Sequence, residues 1–122
     1  MAATLPKSER LCGKSAIAGL MDRGRGGSVG CLRYKYLVRE GADASRILVS
    51  VPKRFFKRAV RRNLLKRRIR EAYRLQKQLL PVPVDVQFVY VQKEVLPFAD
   101  IQAAMTAVLT EIAGKTQLVD KQ

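Results

Sequence analysis

The sequence predicts an α/β (α+β) fold, in which helices pack on a sheet with one covered face. Three observations predict it. Short tracts at 32–38 and 46–51 alternate apolar and polar residues, the period of strands with one covered face, and a third such tract lies at 85–91. Around these tracts run stretches of helical periodicity, the longest at 57–80. At 122 residues the chain suits one domain, 1–122, and with 48% apolar residues it can fill one core.

Each element has its own signals. Residues 1–13 form a polar, basic N-terminal arm. A short helix follows, with Ser15 placed to cap it and Ile17, Leu20 and Met21 at i, i+3 and i+4. The glycine-rich tract 24–30 reads as a flexible turn. Its RGRGG run occurs as a single copy between two elements, so a connector fits better than an RNA-binding glycine-arginine repeat. In the first strand Leu32, Tyr34, Tyr36 and Val38 face one way, and Arg33 and Lys35 the other. In the second, Ile47, Val49 and Val51 oppose Arg46, Leu48 and Ser50, and 40–43 reads as a hairpin loop joining the two. Pro52 ends that strand. The long helix at 57–80 would span roughly 36 Å, until Pro81 and Pro83 stop it. Val86, Phe88 and Tyr90 give the third strand its apolar side. A last helix carries Ile101, Met105, Val108 and Ile112, and the tail 114–122 is expected to fray.

Lysine and arginine number 24 against 10 acids, a net charge of +14. No small-molecule site needs so much unbalanced charge; a polyanion does. No apolar run approaches the roughly 18 residues of a membrane span, and the start, MAATLPKSERLCG, lacks an apolar signal stretch. A cytoplasmic protein without membrane contact is expected. Cys12 and Cys31 have neither metal-like spacing nor a histidine nearby, which suits two reduced thiols.

The charge is concentrated. Residues 53–74 hold eleven lysines and arginines and one glutamate, Glu71. On a helix, Asn63, Lys66, Arg67, Arg70 and Arg74 share one face at i, i+3, i+4, i+7 and i+11. Leu64, Leu65, Ile69, Ala72, Leu75 and Leu79 are placed broadly on the other. Arg61 and Arg68 fall among the apolar residues, so their stems must snorkel outward. Like charges one turn apart each cost a few tenths of a kcal/mol. The cluster makes physical sense when phosphates neutralise it, with arginine adding bidentate recognition and Asn63 an amide for a base edge or sugar.

The run Arg62-Asn63-Leu64-Leu65-Lys66-Arg67-Arg68-Ile69-Arg70-Glu71-Ala72-Tyr73-Arg74 resembles the RN-xx-KR-xx-RE-x-[FY]-R signature of the bacterial ribonuclease P protein component. Ser50-Val51-Pro52-Lys53, Ala59-Val60, and Leu5, Arg10, Leu11 and Gly24 also fit that family's pattern, over roughly residues 5–112. The resemblance implies an α/β (α+β) two-layer sandwich of αβββαβα-like order with a long basic central helix, a ribosomal protein S5 domain 2-like fold, and a left-handed βαβ crossover. It further implies that Arg62, Asn63, Lys66, Arg67 and Arg70, extended by Lys53, Arg58 and Arg74, contact a catalytic RNA subunit. The open sheet face and first helix would hold the 5′ leader of precursor tRNA, with Arg10, Ile17, Met21, Arg33, Lys35 and Ser50 as candidates. The family often places phenylalanines on the first helix; Ile17 and Met21 stand there here, so ring stacking gives way to charge and apolar contact. Either the Arg33/Lys35 side or the Tyr34/Tyr36 side could line the cleft, and strand parity favours Arg33, Lys35 and Ser50, with the tyrosines buried.

The chain has no histidine, and no two acids fall at i, i+3 or i+4 on an expected helix or at i, i+2 on an expected strand. No catalytic or metal-ligating residue is therefore assigned to it. The expectation is that Mg²⁺ is held mainly by the RNA subunit, which carries the chemistry, and that the protein is a monomer when free and has no small-molecule cofactor. The rival reading is a non-catalytic ribosomal-type RNA-binding protein, which charge alone would equally allow. A DNA-reading helix is disfavoured because no short helix–turn–helix is present.

Overall fold

The computed structural model describes residues 7–120. Helix α1 spans Lys14–Arg23, followed by strands β1 (Arg25–Val29), β2 (Leu32–Val38) and β3 (Arg46–Ser50). Helix α2 (Ala59–Gln76) runs into a 3-10 turn at Lys77–Leu79, then come β4 (Val84–Tyr90) and helix α3 (Phe98–Asp120). The order αβββαβα is the one the resemblance implied.

The strands form one sheet in the order β1-β2-β4-β3. β1 and β2 are antiparallel, as are β2 and β4, while β3 runs parallel to β4. Two expectations are corrected here. The tract 24–30 is no loose connector: it supplies β1, and its hairpin to β2 closes through Gly30 at φ 55°, a conformation glycine adopts without a Cβ penalty. The segment 40–43 does not close a hairpin, because β4 inserts between β2 and β3. That segment instead passes the start of β4, where the Arg39 amide donates to the Pro83 carbonyl (2.8 Å) and the Val84 amide donates to Ser45 Oγ (2.9 Å). β4 sits centrally because most of its side chains can be buried.

The core lies between one sheet face and the pair α2 and α3. Leu32, Tyr34, Tyr36, Ile47, Val49, Val86, Phe88 and Tyr90 meet Leu65, Ile69, Ala72 and Tyr73 of α2 and Ile101, Met105, Val108, Leu109 and Ile112 of α3. Leu75 and Leu79, expected on the buried side, are about 40% exposed, and Tyr73 is buried in their stead. The reason is geometric: an arc centred on Leu65, Ile69 and Ala72 takes in Tyr73 and leaves both leucines at its margin.

α2 is shorter than the expected 57–80 span. Residues 52–58 form a turn of their own, and the last residues tighten into the 3-10 turn before Pro81. At the other end, α3 does not stop at Gly114. Tyr34 donates to Glu111 Oε1 (2.6 Å) and accepts from Lys115 Nζ (3.2 Å), and Thr116 is buried, so packing carries the helix past the glycine. Of the N-terminal arm, residues 1–6 lie outside the described residues. Residues 7–11 are docked: Lys7–Glu9 make a 3-10 turn, Arg10 bridges to Ile47 in parallel, and Leu11 is buried.

Candidate nucleic-acid interface

Two surfaces emerge. The first is α2 with the turn before it. Asn63 and Arg67 are exposed, Lys66 and Arg70 are partly covered, and Arg70 lies near Arg10 of the arm. Lys53 and Arg58 are exposed at the approach to the helix. Among the described residues, none of Lys53, Arg58, Lys66, Arg67 and Arg70 forms an ion pair. Burial, and then the neighbouring Arg10 guanidinium, hold Arg70 below the usual arginine range. Placing two cations together in this way favours an anion between them.

Two members of the expected set are engaged within the protein. Arg74 pairs with Glu71 at 2.7 Å, one turn back, and each holds the other in its charged form. Arg62 Nη1 donates to the carbonyls of Phe56 (2.8 Å) and Lys57 (2.9 Å). Arg68, expected to snorkel, donates from Nη1 to the Leu96 carbonyl (2.6 Å) in the loop before α3. The same loop is held by Tyr90, whose hydroxyl donates to the Glu94 carbonyl (2.5 Å) and accepts from the Leu96 amide (3.1 Å).

The second surface is the other sheet face. The register aligns Ser28, Arg33, Val89 and Ser50 in one row across the four strands, and Gly26, Lys35, Gln87 and Leu48 in the next. A groove of about 510 Å³ runs over it, lined by Met21, Ser28, Arg33, Lys35, Gln87 and Val89 among others. Lys35 Nζ donates to the Met21 carbonyl (2.6 Å), fixing the end of α1 at the rim. Tyr34 and Tyr36 turn to the core, at 2% and 4% exposure, as strand parity indicated.

The candidate cleft set is thus only partly gathered. Met21, Arg33 and Lys35 meet in the groove, Ser50 lies on the same face beside Val89, and Ile17 is half-buried one turn before Met21. Arg10 is elsewhere: its backbone extends the β3 edge, and its charge sits near Arg70 on the α2 surface. Gln87 and Ser28 were missed. Parity in β4 could have found Gln87, but only with β4 known to be central.

The α2 face has few of the donors that a resident divalent cation needs. Mg²⁺ takes oxygen ligands, and the α2 face offers mainly guanidinium and ammonium groups, with the Asn63 amide and a Glu71 carboxylate already paired to Arg74. No group of three or more His, Cys, Asp or Glu side chains gathers among the described residues. No helix among them is long and apolar enough to cross a membrane.

The family model for ribonuclease P matches residues 5–113. The ribonuclease P protein component of Porphyromonas gingivalis is 39% identical over 119 residues, covering 90% of this chain and 87% of that one. That of Chlorobaculum tepidum is 38% identical over 81 residues, covering 62% and 53%. Among solved structures, the RNase P protein from Thermotoga maritima superposes with a TM-score of 0.75 at 26% identity, over 85% of this chain and 97% of that one. The Staphylococcus aureus RNase P protein gives 0.73 at 22% identity, over 84% and 94%, a likeness of fold.

Proposed function

This chain belongs to the ribonuclease P protein family, and from that membership we propose that it serves as the protein subunit of a cytoplasmic ribonuclease P. In this reading it binds the catalytic RNA subunit through α2 and the 5′ leader of precursor tRNA through the open sheet face, assisting endonucleolytic maturation of the tRNA 5′ end. The free protein is a monomer. The observation that carries the reading is the row of cations on and before α2, Lys53, Arg58, Lys66, Arg67 and Arg70, left without carboxylate partners among the described residues. Phosphates supply the missing counter-charge.

The protein's task is electrostatic and positional. Lys66, Arg67 and Arg70 neutralise RNA phosphates, and Asn63 offers an amide to a sugar or base edge. Arg33 and Lys35 attract the leader backbone, while Met21 and Val89 give its bases an apolar floor and Gln87 a hydrogen-bonding edge. Mg²⁺ is held mainly by the RNA, a reading supported by the scarcity of free oxygen donors on the α2 face. By screening phosphate repulsion, the protein lowers the Mg²⁺ the holoenzyme needs.

Reconstitution tests this. Added to a bacterial ribonuclease P RNA at low Mg²⁺, the protein should restore cleavage of precursor tRNA at its 5′ end. Unchanged cleavage across a Mg²⁺ titration would remove the reading.

A further inference from the structure

The residues before α2 are unusually well fixed for a surface turn. The amides of Phe55 (3.2 Å) and Phe56 (3.3 Å) both donate to the Pro52 carbonyl. The Phe56 ring is buried in the core, 5.9 Å from that of Tyr90. Arg54 stacks on the Phe55 ring at 4.8 Å. Arg62 reaches back from the first turn of α2 and takes the carbonyls of Phe56 and Lys57 with one nitrogen. The result is a knuckle on which Lys53, Arg54, Lys57 and Arg58 all stand exposed.

Such a knuckle is costly to hold. Four like charges close together favour an open, extended turn, and the carbonyls of Phe56 and Lys57 precede a helix whose N-cap, Arg58, makes no side-chain cap. A guanidinium across both carbonyls is charge-assisted and closes the turn against that repulsion.

We propose that Arg62 is a positioning residue: it locks the 52–58 turn as a preformed RNA-phosphate-binding knuckle, and its contribution to RNA binding is delivered through Lys57, Arg58 and their neighbours. The proposal rests on the reading of α2 as an RNA-binding surface and assigns that surface an internal division of labour. Lys66 and Arg67 act on RNA directly, and Arg62 acts through the turn.

A double-mutant cycle on the full chain tests it, with affinity for a bacterial ribonuclease P RNA as the readout. Arg62→Ala should weaken binding about tenfold in the wild-type background and by less than about twofold when Lys57 and Arg58 are already alanine. Arg67→Ala, which does not touch the turn, should cost the same factor in both backgrounds. Equal losses for Arg62→Ala in both would overturn the proposal and make Arg62 a direct contact. Should Arg62→Ala not fold, Arg62→Lys takes its place. Its ammonium ends about one bond short of Nη1 and loosens the turn, so its loss of binding should likewise shrink when Lys57 and Arg58 are alanine, and equal losses in both backgrounds would overturn the proposal. Amide exchange on the free protein decides independently of RNA. Exchange across 53–58 should quicken in the Arg62 variant while Leu65 and Ile69 stay protected, and an unchanged turn would overturn the proposal. A wild-type chain that fails to bind the RNA would instead defeat the functional reading, and exchange would still report on the turn.

Discussion

Lys66, partly covered, and Arg67, exposed, illustrate what a single side chain contributes when it is charged and has no ion-pair partner among the described residues. Each alanine substitution should leave thermal stability within about 0.5 kcal/mol of wild type, as for ordinary surface changes. Each should also reduce the slope of log affinity against log salt by about 0.7 to 0.9. Arg74 behaves differently because Glu71 already occupies it at 2.7 Å. Glu71→Gln should release Arg74 and strengthen RNA binding, measured by titration at fixed salt; weaker binding would show that Glu71 itself orients a contact. At this scale helical periodicity is local, so the sequence placed Arg67 and Arg74 away from the apolar side, where they stand exposed; Arg61, placed among the apolar residues, is exposed as well. The sequence could not reveal what each cation touches. Arg62 finds backbone carbonyls five and six residues away, and Arg68 finds Leu96 across the molecule. Periodicity carries no trace of such partners.

Among the elements, β1 shows how a glycine-rich tract becomes a strand. An ideal Cβ on Gly27 would lie 2.4 Å from the Tyr34 hydroxyl, so the tyrosine crosses β1 only where no side chain stands. Gly27→Val should destabilise the fold by about 1 to 3 kcal/mol through overpacking, read from denaturant unfolding. A neutral result would mean that Tyr34 can leave Glu111 and Lys115 freely. The strands at 32–38 and 46–51 were legible to within a residue because alternation marks them directly. Their neighbours were not, since period-two alternation fixes a face and leaves the partner open. Reading 40–43 as a hairpin hid the central place of β4, and with it Gln87. α3 ran on past Gly114 for a similar reason: the contacts of Tyr34 with Glu111 and Lys115, 77 and 81 residues away, outweigh a local glycine.

For the molecule as a whole, the cations on and before α2 lie at the surface while three phenols lie in the core. Tyr34, Tyr73 and Tyr90 are buried phenols raised above the ordinary tyrosine range, each mainly by burial, Tyr73 to about 12. Unfolding exposes them to ionise near pH 10 while the folded state still holds their protons. Stability is therefore fully present below about pH 10 and falls as pH rises through the folded values. For Tyr73 alone the loss should be on the order of 2 kcal/mol by pH 12. Tyr73→Phe should flatten that alkaline decline in a pH series of melting curves, and an unchanged decline would assign it to other groups. The exposed cations Arg58 and Arg67 stand apart from this core, so replacing them should alter RNA binding and leave folding largely intact. The most direct test is the salt dependence of binding to ribonuclease P RNA. The wild type should lose affinity steeply as salt rises, and the Lys66→Ala/Arg67→Ala double variant should show a slope shallower by about 1.5. A flat wild-type response, or a double variant with an unchanged slope, would contradict an α2 face that grips phosphate.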